Sequence, residues 1–176
     1  MSFELVPIGK FGAFGVKSSK VSDSRGSLAR IYENSSLIPD FKVQEVSWVS
    51  NLRKFTLRGL HFQTGEFSEK KLVFCTIGKV LDVGVDLRRD SESYLKHFTL
   101  EIGPSSEFQG VLMPRNFAHG YLTLERNSSL VYLMDNSYSP SDSGGLLWND
   151  EKLQIPWPHS PKVISERDKS WPKITK

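Results

Sequence analysis

Residues 71–87 read KLVFCTIGKVLDVGVDL, from Lys71 to Leu87. Two β-rich runs, Lys71 to Ile77 and Val80 to Leu87, are separated by Gly78-Lys79, a pattern that predicts a hairpin. Upstream, Val43 to Val49 alternates: Val43, Glu45, Ser47 and Val49 point one way, and Gln44, Val46 and Trp48 the other. Downstream, His97 to Ile102 alternates and stops at Gly103-Pro104, and Gly110 to Met113 leads into Pro114. Gly120 to Leu124 and Ser129 to Met134 are two further strands, with Glu125 to Ser128 as their turn. Thirteen glycines and nine prolines punctuate the chain. Many short strands between frequent turns make an all-β fold, an antiparallel sandwich or barrel. Helix signals are thin. Ser35 to Pro39 predicts one turn ended by Pro39, and Ile164 to Lys169 another. Four prolines between Pro156 and Lys176 exclude one long C-terminal helix.

The chain has 176 residues and shows no internal repeat, low-complexity tract or linker. Residues 1–176 therefore read as a single domain, a size at which roughly 70% of the unfolded surface is buried. Hydrophobic residues make up 38% and charged residues 24%, which excludes general disorder. A net charge of +3, from 23 basic and 20 acidic residues, is too small to imply nucleic acid. It suits a small anionic ligand where a few arginines converge. Arg88-Arg89 reads as a solvated strand end. Cys75, the only cysteine, lies in an apolar run and reads as a buried structural thiol. No charged-then-apolar leader opens the sequence, and no apolar stretch approaches the ~18 residues of a membrane span. The expectation is a cytoplasmic protein with no membrane partner.

Three clusters can carry chemistry. In Leu57-Arg58-Gly59-Leu60-His61-Phe62-Gln63, a strand puts Leu57, Gly59, His61 and Gln63 on one face and Arg58, Leu60 and Phe62 on the other. Gly59, two residues before His61, leaves room for a ligand over the backbone. A histidine hydrogen-bonded within a core fits the same pattern. In Met113 to Tyr121, Pro114 and Gly120 bracket a tight loop entering a strand; His119 there is open to three roles, metal ligand, catalytic group or packed polar residue. The third cluster is Tyr132, Asp135, Asn136 and Tyr138, although a tyrosine inside an apolar strand is ordinarily core with its hydroxyl partnered. The charged run Ser165 to Asp168 is ordinarily a solvated loop.

Taken in chain order, several segments resemble the dTDP-4-dehydrorhamnose 3,5-epimerase family. They are Arg25-Gly26, Leu57 to Gln63, Lys71-Leu72-Val73, Asp82 to Arg88, Phe117-Ala118-His119-Gly120, Tyr132 and Tyr138-Ser139-Pro140. Trp148-Asn149-Asp150, Ile155 to Pro158 and Ser165 to Asp168 complete the series. The resemblance runs from about Asp23 to Asp168. It implies a dimeric, cupin-like antiparallel jelly-roll β-barrel with short peripheral helical turns, and no required metal or cofactor. It also implies a dTDP-linked or related 4-keto-6-deoxyhexose as the small-molecule partner.

The family's reaction removes a proton beside the 4-keto group to give an enolate, then returns a proton to the opposite face. His61 matches the base, and Asp168 the carboxylate that orients it. Tyr132 matches the acid on the far face. Lys71 matches the lysine near the developing oxyanion. Arg58 matches the phosphate-binding arginine, whose planar guanidinium can bind two oxygens. Arg25 matches an arginine that reaches the neighbouring subunit's nucleotide, and Tyr138 the aromatic stacked on the base. Arg167 stands where a basic residue lies near phosphate. His119 matches a polar residue near the sugar, and Gln63 is a further candidate for binding substrate. Four positions depart from the family pattern: Arg30 for glutamate, Glu69 for glutamine, Leu133 for lysine, and Trp48 for a small or polar residue. The base of the nucleotide, the sugar, and whether carbon 3, carbon 5 or both are inverted stay open.

Two other classes compete. A metal-dependent cupin would use His61 and His119 with Glu66 or Glu69, but Gln63 is a poor substitute for a second imidazole in a His-x-His pair. Stoichiometric metal surviving dialysis would favour it. A non-catalytic nucleotide-sugar barrel would bind ligand without exchanging its acidic protons. It leaves the base, carboxylate, lysine and tyrosine without a purpose.

Overall fold

The computed structural model describes residues 3–33, 38 and 40–175. The predicted turn at Ser35 to Pro39 lies outside the described residues, apart from Ile38. Among the described residues thirteen strands form: β1 Phe3–Ile8, β2 Ala13–Ser18, β3 Lys20–Asp23, β4 Gly26–Ala29, β5 Glu45–Asn51, β6 Leu57–Gln63, β7 Lys71–Ile77, β8 Val80–Asp86, β9 His97–Ile102, β10 Gly110–Met113, β11 Phe117–Thr123, β12 Ser128–Met134 and β13 Ser143–Gly145. Among the described residues, a 3-10 turn at Gly65–Phe67 and one short helix, α1 at Glu166–Lys169, are the helical elements. The strand ends read from the sequence coincide with β7, β9 and β10, the run read as Val43 to Val49 is β5 displaced by two residues, and α1 falls in the predicted C-terminal turn. Strands β1 to β4 have no counterpart in the sequence reading.

Six strands make one sheet in the order β1-β2-β10-β7-β12-β5, and five make a second in the order β13-β6-β11-β8-β9. Strands β3 and β4 form a separate ribbon, and the named strands pair antiparallel throughout. The result is the expected cupin-like jelly roll. The expected hairpin at Gly78-Lys79 is not formed. β7 pairs with β10 and β12, whereas β8 pairs with β9 and β11, so the glycine turn is a corner between sheets. Gly78, at φ +75°, makes the turn without a Cβ that would meet Ser128 Oγ at 2.4 Å. The segment before Ser128 is a second such corner, from β11 to β12.

The strongest apolar runs are buried on both faces. Between the sheets lie Val73 and Cys75 of β7, Phe98 and Ile102 of β9, Val111 and Met113 of β10, Phe117 and Tyr121 of β11, and Leu130 of β12. The outer face of the six-stranded sheet, with Leu72, Phe74, Leu112 and Leu133, is covered by Ile38 and Phe41 with Tyr32 and Val43. The outer face of the five-stranded sheet, with Leu60, Val83, Val85 and Ala118, is covered by C-terminal residues including Leu153, Ile155 and Trp157. Two-sided burial removes the need for alternation, hence KLVF and VLDVGV. Cys75 is buried as expected, and burial pushes its thiol up to about 12. Arg88 corrects the solvated reading: it packs over the Phe117 ring and pairs with buried Asp86 at 2.7 Å, while Arg89 is exposed.

Candidate active site

The two sheets part at one end of the barrel around a cavity of about 230 Å³. His61, Phe62 and Gln63 of β6 supply one wall, with Ser143 of β13 and Arg167 of α1 beside them. Lys71 of β7, Tyr132 and Met134 of β12, and Glu45 and Ser47 of β5 supply the facing wall. Pairing fixes the second wall. Tyr132 stands opposite Val73 and Met134 opposite Lys71, so the ammonium and the phenol lie on one face, one diagonal step apart. His61 and Gln63 face the cavity as read and Leu60 belongs to the outer cluster, but the alternation breaks on either side: Phe62 also borders the cavity, and Arg58, opposite Tyr121, reaches Asn51 Oδ1 on the inner face.

His61 is held from behind. Its Nε2 lies 2.7 Å from Asp168 Oδ1, and Asp168 Oδ2 accepts the Gly59 amide at 3.1 Å. An ionised carboxylate only accepts, so Nε2 carries the hydrogen and Nδ1 keeps the free lone pair. Ser165 caps α1 by accepting from the Asp168 amide at 3.1 Å, which fixes where the carboxylate sits. Burial opposes ionisation of Asp168. The bond and charge of His61 and the Gly59 amide outweigh it and hold the carboxyl below its ordinary range. Trp171 packs edge-on to the His61 ring at 6.2 Å, beneath the Arg167 guanidinium.

Gly59 is required by this geometry. It has φ +126°, and a Cβ there would come within 2.5 Å of Gly120 Cα. β6 and β11 approach closely at a register shift between His119 and Tyr121.

Tyr132 is set differently. Burial pushes its phenol well above the ordinary range, and neighbouring Tyr121 and Asp82 add to the shift. The His119 ring meets it edge-on at 5.7 Å, and His119 Nε2 bonds buried Asp82 Oδ2 at 2.8 Å. His119 thus stands behind the phenol, in the barrel interior, and is not part of the cavity wall. The Tyr121 hydroxyl donates to Asn51 Oδ1 at 3.1 Å, and Arg58 Nε donates to the same oxygen at 2.9 Å.

The remaining predicted residues separate. Tyr138 is about half exposed at the cavity mouth, where an Arg167 hydrogen bond lowers its phenol. Its amide donates to Glu45 Oε1 at 2.9 Å. Arg58 is exposed and lies outside the cavity wall. Arg25 is at the turn of the β3–β4 ribbon, paired with Asp23 at 2.6 Å, and lines a separate hollow. Gln63 borders the cavity with its carboxamide engaged by protein: Nε2 reaches Phe67 O, Ser137 O and Glu69, and Oε1 accepts the Ser139 amide at 2.6 Å. Among the described residues, no three His, Cys, Asp or Glu side chains are grouped to hold a metal ion. No described helix is long and apolar enough to cross a membrane.

Sequence reading did not single out Glu45, Ser47, Ser143, Tyr121, Asn51 or Trp171 for the site. The alternation of β5 already placed Glu45 and Ser47 on a common face; what it lacked was the knowledge that this face meets β6 across a cavity.

Residues 11–176 match the family model described as dTDP-4-dehydrorhamnose 3,5-epimerase. A dTDP-4-dehydrorhamnose 3,5-epimerase from Salmonella typhimurium is 37% identical over 157 residues, covering 86% of this chain and 85% of that one. A second, from Sinorhizobium fredii, is 32% identical over 163 residues, covering 90% and 83%. The crystal structure of the Bacillus anthracis dTDP-4-dehydrorhamnose 3,5-epimerase with TDP and PPi bound superposes with a TM-score of 0.91. It is 29% identical and covers 98% of this chain and all of that one. With the matches spanning nearly the whole jelly roll and both walls of its cavity, this chain is a member of the dTDP-4-dehydrorhamnose 3,5-epimerase family of isomerases.

Proposed function

We propose that the chain inverts carbon 3, carbon 5 or both of a dTDP-linked 4-keto-6-deoxyhexose, with dTDP-4-dehydrorhamnose as the substrate its family name gives. One observation carries the reading: His61 and Tyr132 stand on facing sheets and border one cavity. His61 Nδ1 takes the proton from the carbon beside the 4-keto group. The C–H electron pair moves into an enolate whose charge rests on the 4-oxygen, beside the Lys71 ammonium. Asp168 stabilises the imidazolium. The Tyr132 hydroxyl then protonates the same carbon from the other face and the ketone re-forms. Imidazolium and phenolate return to their starting states by exchange with solvent.

Tyr138 stacks on the nucleotide base, and Arg167 and Arg58 meet the diphosphate. His119 supports Tyr132 from behind, and Gln63 holds the wall next to the sugar. The ribbon of β3 and β4 exposes a cross-strand pair, Val21 and Leu28, and an isolated two-stranded ribbon is marginal in water. It docks on a second copy, carrying Arg25 to the neighbour's nucleotide, in a cytoplasmic homodimer.

The test uses heavy water and a nucleotide-linked 4-keto-6-deoxyhexose. Wild type incorporates deuterium at each carbon it inverts, and His61→Asn abolishes incorporation. Tyr132→Phe retains exchange and loses inversion. Full exchange in His61→Asn, or unchanged turnover in Tyr132→Phe, removes the corresponding role.

A further inference from the structure

Lys71 does not face the cavity as a free cation. Its Nζ lies 2.9 Å from Glu69 Oε1, with the two side chains only 15% and 8% exposed. Glu69 is itself part of the cavity wall. Its second oxygen, Oε2, accepts from Gln63 Nε2. Gln63 in turn is fixed by Phe67 O, Ser137 O and the Ser139 amide, on either side of Tyr138. An ammonium has three hydrogens; one directed at Glu69 leaves two for the cavity, in a fixed direction. A buried carboxylate is disfavoured unless it is paired and hydrogen-bonded, and here both oxygens are engaged.

We propose that Glu69 is a positioning residue for the epimerisation, holding the Lys71 ammonium where the 4-oxygen of the sugar gains its charge. This rests on the reaction given to the chain above. The ammonium is shared between a permanent carboxylate and a transient enolate, so its electrostatic contribution appears as the enolate forms. The family pattern has glutamine here, but in this chain Lys71 and Gln63 both donate to Glu69, so glutamine is not equivalent. An amide has one acceptor oxygen, whereas Lys71 and Gln63 both donate, so one donor would face the new NH2 group.

A double-mutant cycle on the full chain tests the assignment, with Glu69→Gln, Lys71→Met and the pair, each checked for folding by circular dichroism and thermal melting. Glu69→Gln is expected to lower kcat between about tenfold and about a hundredfold through misplaced contacts, with KM within about twofold. In the Lys71→Met background the same change is expected to alter kcat less than about twofold, because the lysine it acts through is gone. Glu69→Asp, which keeps both acceptor oxygens, recovers part of the loss. An equal loss in both backgrounds, or a loss falling on KM alone, overturns the assignment. Reductive methylation of Lys71, followed by mass spectrometry, gives a readout without substrate: slow in wild type and faster in Glu69→Gln. Equal rates overturn the pairing even if the wild type exchanges no proton of any nucleotide sugar. That last result would end the proposed reaction and leave the pairing to stand or fall on the labelling.

Discussion

Replacing Asp168 with asparagine isolates what the carboxylate gives to His61. The side chain keeps its shape, its N-terminal cap and its place, 5% exposed behind the imidazole. The carboxylate accepts two donors, His61 Nε2 at 2.7 Å and the Gly59 amide at 3.1 Å. An amide offers one oxygen, so either the Gly59 N–H or the imidazole faces an NH2 group. If the oxygen stays with Gly59, the NH2 group demands the opposite tautomer, and Nδ1 then carries a hydrogen where the base needs a lone pair. The charge adds to this. An imidazolium and a carboxylate about 4 Å apart attract by about 4 kcal/mol at an effective dielectric of 20, and a charge-assisted hydrogen bond contributes about 1.5–3 kcal/mol. Taking about 2 to 4 kcal/mol as lost from the step that charges His61 gives a fall in kcat of about 30-fold to about a thousandfold. The assay is stopped-time deuterium incorporation from heavy water, which reads abstraction directly. A folded Asp168→Asn protein abstracting at more than a third of the wild-type rate would refute the base–carboxylate reasoning. The substitution also carries a stability signature. Asp168 has a native acidity displaced below that of the unfolded chain. Its contribution to stability is whole above the ordinary carboxylate range near ~3.9 and is lost as pH falls through the native value. Asp168→Asn therefore flattens the acid limb of the stability curve.

Burial holds the Tyr132 phenol protonated, so the stability tied to it is whole below about pH 10 and declines as pH rises through the higher native value. Tyrosinate absorbance of wild type and Tyr132→Phe is expected to coincide up to about pH 10, and a lower-pH component missing from the variant would contradict the buried-acid reading. Cys75, 2% exposed and with its thiol pushed up to about 12, is expected to resist alkylation in the native state and react as one equivalent after unfolding; rapid native labelling would refute its packing. Gly59→Ala and Gly26→Ala make a matched pair. Both glycines have φ near +127°, at +126° and +129°, but only Gly59 has backbone within 3 Å of an added Cβ. Thermal melting is expected to show Gly59→Ala losing at least about 2 kcal/mol more than Gly26→Ala, and equal losses would exclude the β6–β11 contact as the reason for the glycine.

How much of this was readable before the structure depended on the range of the forces involved. The inward facing of His61 and Gln63 follows from a period of two, but Arg58 shares their inner face because the strand shifts register against β11, which the local pattern does not encode. The strand ends of β9 and β10 follow from Gly103-Pro104 and Pro114. The sheet to which a strand belongs is another matter. Gly78-Lys79 satisfies the local requirements of a hairpin, yet β7 and β8 diverge, because the pairings of β7 with β10 and β12 come from far along the chain. The ribbon of β3 and β4 has exposed side chains almost throughout, so it carries no burial pattern to read. Asp168 sits in a run of four polar or charged residues that reads as solvated; the Ser165 cap and the Gly59 amide, far apart in sequence, make it a buried carboxylate. Family resemblance supplied roles for Arg58 and Arg25 that the isolated chain leaves outside the cavity.

The barrel separates two environments that one strand could not offer together. His61 is half exposed, its hydrogen-bonding fixed by a carboxylate delivered from outside both sheets, so it can accept a charge and return it to water. Tyr132 belongs to the packed interior, against the cluster that contains Tyr121, Leu130 and Val73. Burial there favours the neutral phenol. In the proposed mechanism, a base that tolerates charge and an acid that holds its proton give the cavity a direction, with protons drawn from the β6 side and supplied from the β12 side. Reversal would demand an anionic phenol in the core and a protonated imidazole beside Asp168 before substrate arrived. The asymmetry comes from packing: His61 is half exposed and backed by Asp168 of the C-terminal segment, whereas Tyr132 packs against the core that both sheets share. Exchanging the two side chains would take the imidazole away from Asp168 and set a phenol against that carboxylate, and neither wall would then match its proposed task.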